Sequence, residues 1–374
     1  MAIAAPGVLR ANPVADTGLD AFMADQLKTG GVPGCAIGLA VRGRTVFARG
    51  YGFANLARRR PVTADSMFHI ASVTKTVTAT AIMRLAELGR LAIDDAVERH
   101  LDFPVRNPAH PDVPITIRHL LMHTSSISDD TYYKVDFRTP GRDSPLALGT
   151  LMKTYLVKGG GYYAAVGSYS SLPPGQGWAY SNIGYGLLGL IGSNAAGIDL
   201  RRFVDSHIFA PLSVRDTSWT VAGVPRRQAV TPYDMTDAGL VPTLPIGSPD
   251  WAGSMLRASI AGFMPYVAAS ANGGASDRAR MLAPTGEAAM LEMAKPTGLP
   301  DWFDGQGLGW QAAKLGGVVR PNHWGGDPGV FTAVYLDPTT RSGVAIFTNT
   351  TVTDKAKAMV RAVAERVFGM VPGS

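Results

Sequence analysis

The sequence predicts a mixed α/β (α+β) protein, with one antiparallel sheet built from both ends of the chain, flanked by helices and interrupted by a mostly helical lobe. Apolar strand-like runs lie near both ends of the 374 residues, and helix-like segments fill the middle. With 46% hydrophobic and 17% charged residues, the chain can form a sizeable folded core. We expect a discontinuous sheet domain at residues 1–95 and 301–374, and a mostly helical domain at residues 96–300.

The first third of the chain predicts a helix, a hairpin and a second helix. Residues 20–28 have an amphipathic helical pattern, and residues 35–41 and 45–51 are apolar runs joined by a short turn, which indicates a β-hairpin. Residues 72–88 carry apolar side chains at helical spacing, and Gly89 supplies a stop signal.

The rest of the chain, from about residue 100, predicts several helices, then two strands and a last helix. From about residue 100 to 300, helical segments alternate with long loops rich in Gly and Pro. Residues 330–336 and 343–349 predict two strands joined by a turn. A last helix is expected over residues 354–368. Since such a chain forms two lobes around one sheet, a site between the lobes is the natural expectation.

Composition and charge exclude several classes of protein. The net charge of +6 is scattered, and the densest basic run, residues 58–60, is too short for a nucleic-acid-binding tract. The single Cys35 excludes a disulfide framework, and its apolar neighbours predict a core position. No segment resembles a membrane span, and residues 1–16 lack a signal-peptide pattern. We therefore expect a cytoplasmic protein without a nucleic-acid or membrane partner, and leave its oligomeric state open.

A serine and a lysine three residues apart open the helix predicted over residues 72–88. At that spacing the Lys75 amine reaches the Ser72 hydroxyl on the same helical face. A serine becomes a strong nucleophile when a neighbouring base takes its proton, and a partly desolvated lysine at a helix N-terminus can do so. Taken alone, the pair is more simply explained by a capping serine and a solvated lysine.

Two further motifs carry candidate chemistry. Tyr180 and Asn182 lie in Tyr-Ser-Asn after a Pro-Gly turn, where a tyrosine beside a lysine and a serine could move a proton. The run His-Trp-Gly-Gly at residues 323–326 directly precedes the strand at Val330. Glycines at the start of an edge strand would let a backbone N–H approach a bound carbonyl. The plain alternatives are a packing tyrosine and an ordinary glycine turn.

The order of these motifs and their context resembles the penicillin-binding protein and class C β-lactamase family. The landmarks run from about residue 32 to residue 349, nearly the whole chain. Four segments around the motifs also resemble this family. They are Phe-His-Ile-Ala at 68–71, Leu-Leu-Met-His-Thr-Ser-Ser-Ile at 120–127, Asn-Ile-Gly-Tyr-Gly-Leu-Leu-Gly at 182–189 and Trp-Ala-Gly-Ser-Met-Leu-Arg-Ala-Ser at 251–259.

The resemblance implies a role for each motif residue. Ser72 would be the acylated nucleophile, Lys75 its activating partner and Tyr180 the proton shuttle. Asn182 would hydrogen-bond the acyl side of the substrate, and the backbone N–H groups of Ser72 and Gly326 would form the oxyanion hole. Water would then release the acyl group, with no metal or cofactor required.

Two departures from the family pattern bear on the substrate. His323, Trp324 and Gly325 occupy the substrate-binding positions where β-lactamases have Lys-Thr-Gly, so a fixed positive charge is lost; this version is similar to family VIII carboxylesterases. The stretch 159–198 has no charged residue or histidine, and we expect its aromatic residues to form a neutral wall around the tyrosine. Those residues are Tyr162, Tyr163, Tyr169, Trp178 and Tyr180 itself. A packed loop is the alternative.

Two motifs are interpreted as structural. Gly184, Gly186 and Gly189 match a dinucleotide fingerprint without the preceding strand, so they predict a small-residue helix face. His123 is expected to brace the cleft rather than act as a base.

The predicted function is a serine carboxylesterase for small uncharged esters, with transesterification as a variant of the same reaction. The alternatives are an amide hydrolase (a β-lactamase, D-aminopeptidase or amidase), an acyltransferase, or a penicillin-binding module that acylates without turnover.

Overall fold

The computed structural model describes residues 18–371, so the signal-peptide expectation for residues 1–16 lies outside the described residues. Within the described range, no helix combines the length and apolar character needed to cross a membrane. The strands are β1 (Gly34–Val41), β2 (Arg44–Asn55), β3 (Arg60–Pro61), β4 (Met67–His69), β5 (Thr139–Pro140), β6 (Thr217–Ser218), β7 (Tyr233–Thr236), β8 (Gly239–Pro242), β9 (Ile246–Gly247), β10 (Arg257–Ser259), β11 (Gly305–Gln306), β12 (Gln311–Leu315), β13 (Val318–Asp327), β14 (Val330–Asp337) and β15 (Ser342–Thr348).

Helices fill the chain between and after these strands. They are α1 (Leu19–Gly30), α2 (Thr74–Glu87), α3 (Ile117–Leu121), α4 (Asp130–Val135), α5 (Leu148–Leu156), α6 (Asn182–Ala196), α7 (Leu200–Val204), α8 (Ala210–Leu212), α9 (Trp251–Ser254), α10 (Ile260–Ser270), α11 (Pro284–Met290) and α12 (Asp354–Phe368). Short 3₁₀ segments occupy Ala71–Val73 and Val97–His100, and one π turn, Asp205–Phe209, joins α7 to α8.

One eight-stranded antiparallel sheet joins the two ends of the chain. Its order is β11-β12-β13-β14-β15-β1-β2-β3, so β1 pairs with the N-terminal β2 on one side and the C-terminal β15 on the other. Ala36 lies opposite Gly50 in β2 and Phe347 in β15. This pairing confirms the prediction of a sheet built from both ends.

The two faces of β1 differ in side-chain size. Ile37 and Leu39 pack with α1 and α12, whereas Ala36 belongs to the core on the other face, where α10 lies. A Cβ at Gly38 would stand 2.4 Å from the sulfur of Met264 in α10, so a small residue here lets the helix approach the sheet closely.

Most of the predicted elements are confirmed. The structure contains the helix expected at 20–28, the hairpin, both late strands and the final helix, and Cys35 is fully buried. The three glycines at 184, 186 and 189 lie within α6, which confirms the helix-face interpretation. The domain boundaries at residues 95 and 300 stay a prediction.

The segment before α2 is hydrogen-bonded to the sheet and to the residues between α9 and β10. The Ile70 N–H donates to the Leu256 carbonyl at 3.0 Å, and the Thr332 hydroxyl of β14 donates to the Ile70 carbonyl at 2.8 Å. Ala71 then adopts a left-handed φ of 46°, a conformation that costs free energy in a residue with a Cβ. These bonds fix the position at which Ser72 begins the helical turn.

A carboxyl group is buried near the C-terminal end of α2. Glu287 in α11 is 2% exposed, and neither of its carboxylate oxygens has a hydrogen-bond partner among the described residues. Burial, with a smaller effect of the nearby Glu87, raises the pKa of Glu287 to about 8.

This carboxyl makes the stability of the protein depend on pH. Between about pH 4.5 and 8 the native state keeps a proton that the unfolded chain has lost, so the free energy of unfolding falls as pH rises, by at most about 1.4 kcal/mol per pH unit. We expect Glu287→Gln to remove the contribution of this carboxyl, so that its free energy of unfolding falls less steeply with pH than that of the wild type, as measured by urea unfolding at pH 5, 6.5 and 8. The exposed Glu292→Gln is the control, and parallel pH curves for the wild type and Glu287→Gln would contradict the prediction.

Candidate active site

The structure brings the predicted serine and lysine together at the start of α2. The Lys75 amine donates to the Ser72 hydroxyl at 3.3 Å, to the side-chain oxygen of Asn182 at 2.8 Å and to the Gly253 carbonyl at 2.9 Å. Its three acceptors thus come from the segment before α2, from the first residue of α6 and from α9. A fully buried amine is held at the junction of these three elements.

The arrangement determines which contact changes when Lys75 loses a proton. The Gly253 carbonyl can only accept, and Asn182 is oriented with its oxygen toward Lys75 because its NH₂ group donates to the Tyr133 hydroxyl at 3.1 Å. Two N–H groups of the neutral amine therefore stay on these acceptors. The lone pair is left for the Ser72 hydroxyl, which is the geometry that a general base requires.

Burial favours the neutral amine. It lowers the pKa of Lys75 to about 8, against the opposing attraction of Asp250, Asp129 and Asp327. Tyr180 lies close by, with the Lys75 nitrogen 4.7 Å from the centre of its ring. Burial raises the pKa of Tyr180, while a side-chain interaction with Ser72 acts in the opposite direction. Near neutral pH, Lys75 is therefore the group that releases its proton first.

A buried carboxylate fixes the start of α6. Asp129 accepts hydrogen bonds from the Ser181 hydroxyl at 2.7 Å and from the backbone N–H groups of Asn182 and Ile183 at 2.6 and 3.2 Å. The positive end of a helix favours a carboxylate at this position. Asp129 thereby positions Asn182 against Lys75, although its own pKa is raised to about 6 by burial.

His123 contacts the segment that carries the tyrosine. Its Nδ1 accepts the Ser181 N–H at 3.1 Å, and its ring lies 4.4 Å from the Tyr180 ring. Burial keeps the pKa of His123 well below its usual range, so the ring is neutral. His123 therefore braces the segment that carries Tyr180 from behind, and it is not among the residues that line the cleft.

The third motif lies elsewhere in the fold than the sequence predicted. Residues 323–326 belong to the last part of β13, and are neither a turn nor the start of a strand. Asn322 is the last residue of β13 that pairs with β12, whereas β14 pairs with β13 as far as Asp327. Residues 323–326 therefore pair with β14 on one side and are unpaired on the side of β12, because the pairing with the shorter β12 stops at Asn322.

Gly325 is required because β13 contacts the segment that carries Ser72. A Cβ at this position would stand 2.4 Å from the Ile70 carbonyl oxygen, 2.5 Å from the Thr332 hydroxyl and 3.0 Å from the Ser72 nitrogen. The backbone of β13 can approach Ser72 only because Gly325 has no side chain.

His323 and Trp324 contribute a neutral surface. Burial, and to a lesser degree Lys75, lowers the pKa of His323 to about 3, and its Nδ1–H donates to the Trp324 carbonyl at 2.8 Å. The indole N–H of Trp324 donates to the Tyr335 hydroxyl at 2.9 Å, which fixes the ring. The third motif thus supplies no positive charge.

These groups surround one cleft of about 410 Å³. Of the residues predicted for the site, Lys75 lies beneath its floor and Gly325 behind Ser72. The others line it: Ser72, Tyr180, Asn182, His323, Trp324 and Gly326.

The expected neutral wall is wrong in composition. Of the aromatic residues predicted for it, Trp178 and Tyr180 line the cleft, but Tyr162, Tyr163 and Tyr169 do not. Tyr169 is buried, with its hydroxyl donating to the Leu156 carbonyl at 2.9 Å, so it belongs to the core. The remaining aromatic surface comes from other segments, and its residues are Tyr132, Tyr133, Trp302 and Phe303.

Three charged residues also line the cleft and were missed in the sequence. Arg138 forms a two-point ion pair with Asp136, at 2.6 and 2.9 Å, which balances both charges. The Asp327 side chain makes no hydrogen bond among the described residues, and the ring of the neutral His69 lies 3.9 Å from its carboxylate. Burial and Asp250 raise the pKa of Asp327 to about 7. Its position directly after Gly326 could have drawn attention to it, whereas no spacing signals residues 136 and 138.

Comparison with known proteins gives one matching family and several relatives. The Beta-lactamase family matches residues 19–368. A penicillin-binding protein of Bacillus subtilis (strain 168) is 33% identical over 177 residues, 47% of this chain and 35% of its own. Esterase EstB of Burkholderia gladioli is 31% identical over 218 residues, 58% of this chain and 54% of its own. The matched region thus spans about a third to a half of the length of these curated relatives.

A solved structure extends the likeness to the whole fold. The D-amino acid amidase from Ochrobactrum anthropi SV3, in complex with D-phenylalanine, superimposes with a TM-score of 0.76 at 23% identity. The superposition covers 96% of this chain and 99% of that chain.

The contact between β13 and Ser72 can be tested by adding one methyl group. We expect Gly325→Ala to lower the free energy of unfolding by about 1–3 kcal/mol, because two of the three atoms nearest the new Cβ belong to the backbone and cannot yield. Gly326→Ala is the matched control, since its Cβ meets only a side-chain methyl of the partly exposed Val352, at 2.7 Å. Equal urea-unfolding midpoints for the two variants would refute the close approach.

Proposed function

The chain belongs to the beta-lactamase family of serine hydrolases, and from this premise we propose that it hydrolyses small uncharged carboxylic esters through an acyl-enzyme on Ser72. The observation that carries the proposal is the buried Lys75 amine, whose lone pair is left for Ser72 by two fixed acceptors. The relatives with matching sequence include an esterase, which is consistent with this substrate class.

Acylation uses the groups already in contact. Neutral Lys75 takes the proton of Ser72 as its oxygen attacks the ester carbonyl, and the negative charge that develops is stabilised by the backbone N–H groups of Ser72 and Gly326. Tyr180, which keeps its proton at neutral pH, donates it to the departing alkoxide. Lys75 then returns a proton to Tyr180, so that both groups are restored and an alcohol leaves.

Deacylation follows the same path with water in the place of the alcohol. Lys75 and Tyr180 take a proton from the water that attacks the acyl carbonyl, and Ser72 recovers a proton as the acid leaves. A second alcohol in place of water gives transesterification. Asn182 hydrogen-bonds the acyl part of the substrate, with Trp324 packing against it.

The charges of the cleft favour uncharged substrates over anionic β-lactams. His323 is neutral where the family pattern has lysine, and Arg138 is paired with Asp136. The unpaired Asp327 repels a substrate carboxylate whenever it is ionised. These features support an ester specificity, and the exposed Trp302 offers an apolar surface for the acyl or alkyl group.

Side-by-side hydrolysis of p-nitrophenyl butyrate and a chromogenic cephalosporin tests this function. We expect ester turnover with a kcat/KM at least 100-fold above that for the cephalosporin, and loss of both activities in Ser72→Ala. Ser206→Ala, at an exposed serine outside the cleft, is the matched control. Faster cephalosporin turnover would reject the proposed substrate class, and full ester turnover by Ser72→Ala would reject the nucleophile.

An amide hydrolase is the second candidate, favoured by one observation. Asp327 is an unpaired carboxylate lining the cleft, and such a group can hold the ammonium of an amino-acid amide. A D-amino acid amidase also shares the fold. Rates on an ester and on its isosteric amide, each with and without an α-amino group, distinguish the two functions.

The pH dependence of ester hydrolysis reports the base. Because Lys75 must be neutral to accept the serine proton and its pKa is about 8, kcat/KM should rise about tenfold per pH unit below pH 8 and level off above it. Tyr180→Phe should lower the rate by about 10²–10⁴-fold and keep the midpoint near 8. A profile that is flat from pH 6 to about 10, or a midpoint lost with Tyr180, would contradict these roles.

A further inference from the structure

A second cavity lies behind the catalytic segment. It has a volume of about 210 Å³ and shares no lining residue with the cleft. Apolar side chains dominate its wall, among them Met67, Phe68, Val230, Leu244, Ile246 and Val330. An apolar cavity of about 150 Å³ is large enough for a benzene ring, so this one holds a ring with a small substituent.

The cavity wall contains a buried positive charge. Arg257 in β10 is 3% exposed, and its guanidinium donates to the carbonyls of Met255, at 2.8 Å, and Ile246. Among the described residues no carboxylate lies within ion-pair distance of it. Burial lowers the pKa of Arg257 to about 10, against the weaker opposing attraction of Asp143 and Asp327. A guanidinium removed from water without an anionic partner is costly, since carbonyl oxygens compensate only part of its charge.

The other residues that line the cavity add positive charge and no negative charge. Arg226, which is exposed, supplies a second guanidinium, and together with the exposed Leu244 it marks the open side of the cavity. No acidic side chain lines the cavity within residues 18–371. His69 donates to the Ser254 carbonyl at 2.7 Å and is neutral, because burial lowers its pKa to about 3.

We propose that this cavity is a second binding site, which takes a small carboxylic acid with a short apolar or aromatic body. The carboxylate pairs with Arg257, whose planar guanidinium matches its geometry, and the apolar body fills the space lined by Phe68 and Val230. The site is distinct from the cleft, and its occupation does not depend on acylation of Ser72.

The site adjoins the cleft through one wall. His69 lines the cavity, lies 3.9 Å from Asp327 of the cleft and bonds to Ser254, which also lines the cleft. A bound anion would therefore lie on the far side of the side chains that form the cleft's own wall.

Calorimetric titration with phenylacetate and its neutral isostere phenylacetamide tests the proposal. We expect phenylacetate to bind the full chain at least tenfold more tightly than phenylacetamide. Arg257→Met should bring the two affinities within about twofold. Because Arg257 also holds two carbonyls and this variant can fail to fold, Arg226→Gln is the second charge variant, with an expected threefold or greater loss of phenylacetate affinity.

Cavity filling distinguishes this site from the cleft. Val230→Trp places a large ring in the cavity and should weaken phenylacetate at least tenfold, whereas Val241→Trp, the same change at an exposed position outside the lining, should leave its affinity unchanged. No binding at millimolar phenylacetate, equal binding of the amide, or binding that survives Val230→Trp would overturn the proposal.

Discussion

The geometry of the candidate active site depends on one constraint, which is that the buried amine of Lys75 needs hydrogen-bond partners. A lysine removed from water must find a partner for each N–H group, and Lys75 finds them in three separate elements: Ser72, Asn182 and Gly253. Any shift of α6 or α9 relative to α2 would leave a donor unpaired inside the protein. The hydrogen bonds that leave the lone pair of the neutral amine to Ser72 therefore also fix the packing of the helices around it.

The sheet helps to position the site because two of its residues are glycines without side chains. Gly325 brings β13 against the Ser72 backbone, and Gly38 brings α10 against the opposite part of the sheet. Asp129 fixes the beginning of α6 by accepting two backbone N–H groups. The cleft is thus held by contacts at which one additional side-chain atom, or one missing oxygen, would move the reacting groups.

The sequence predicted elements with strong local signals and could not predict long-range placement. The final helix follows from periodicity, and the Ser72–Lys75 pair follows from helical spacing. The glycines at 325 and 326 were placed at the start of a strand, whereas they lie in the last part of β13. Gly253 carries no signal, since only its carbonyl is used, and Tyr169 was misjudged because burial of a tyrosine depends on segments far along the chain. Asp136 and Arg138 likewise lie in a loop whose approach to the cleft is set by tertiary packing.

The groups that satisfy Lys75 and most of the rim of the cleft come from different parts of the chain. Trp302, Phe303 and Arg138 line the rim and make no contact with the amine, so they can be exchanged while its three acceptors stay in place. Under the proposed function, the positions that support the reaction and the positions that contact the substrate therefore form separable sets. In such a scaffold, specificity can drift over evolutionary time, or be redirected in the laboratory, without rebuilding the nucleophile.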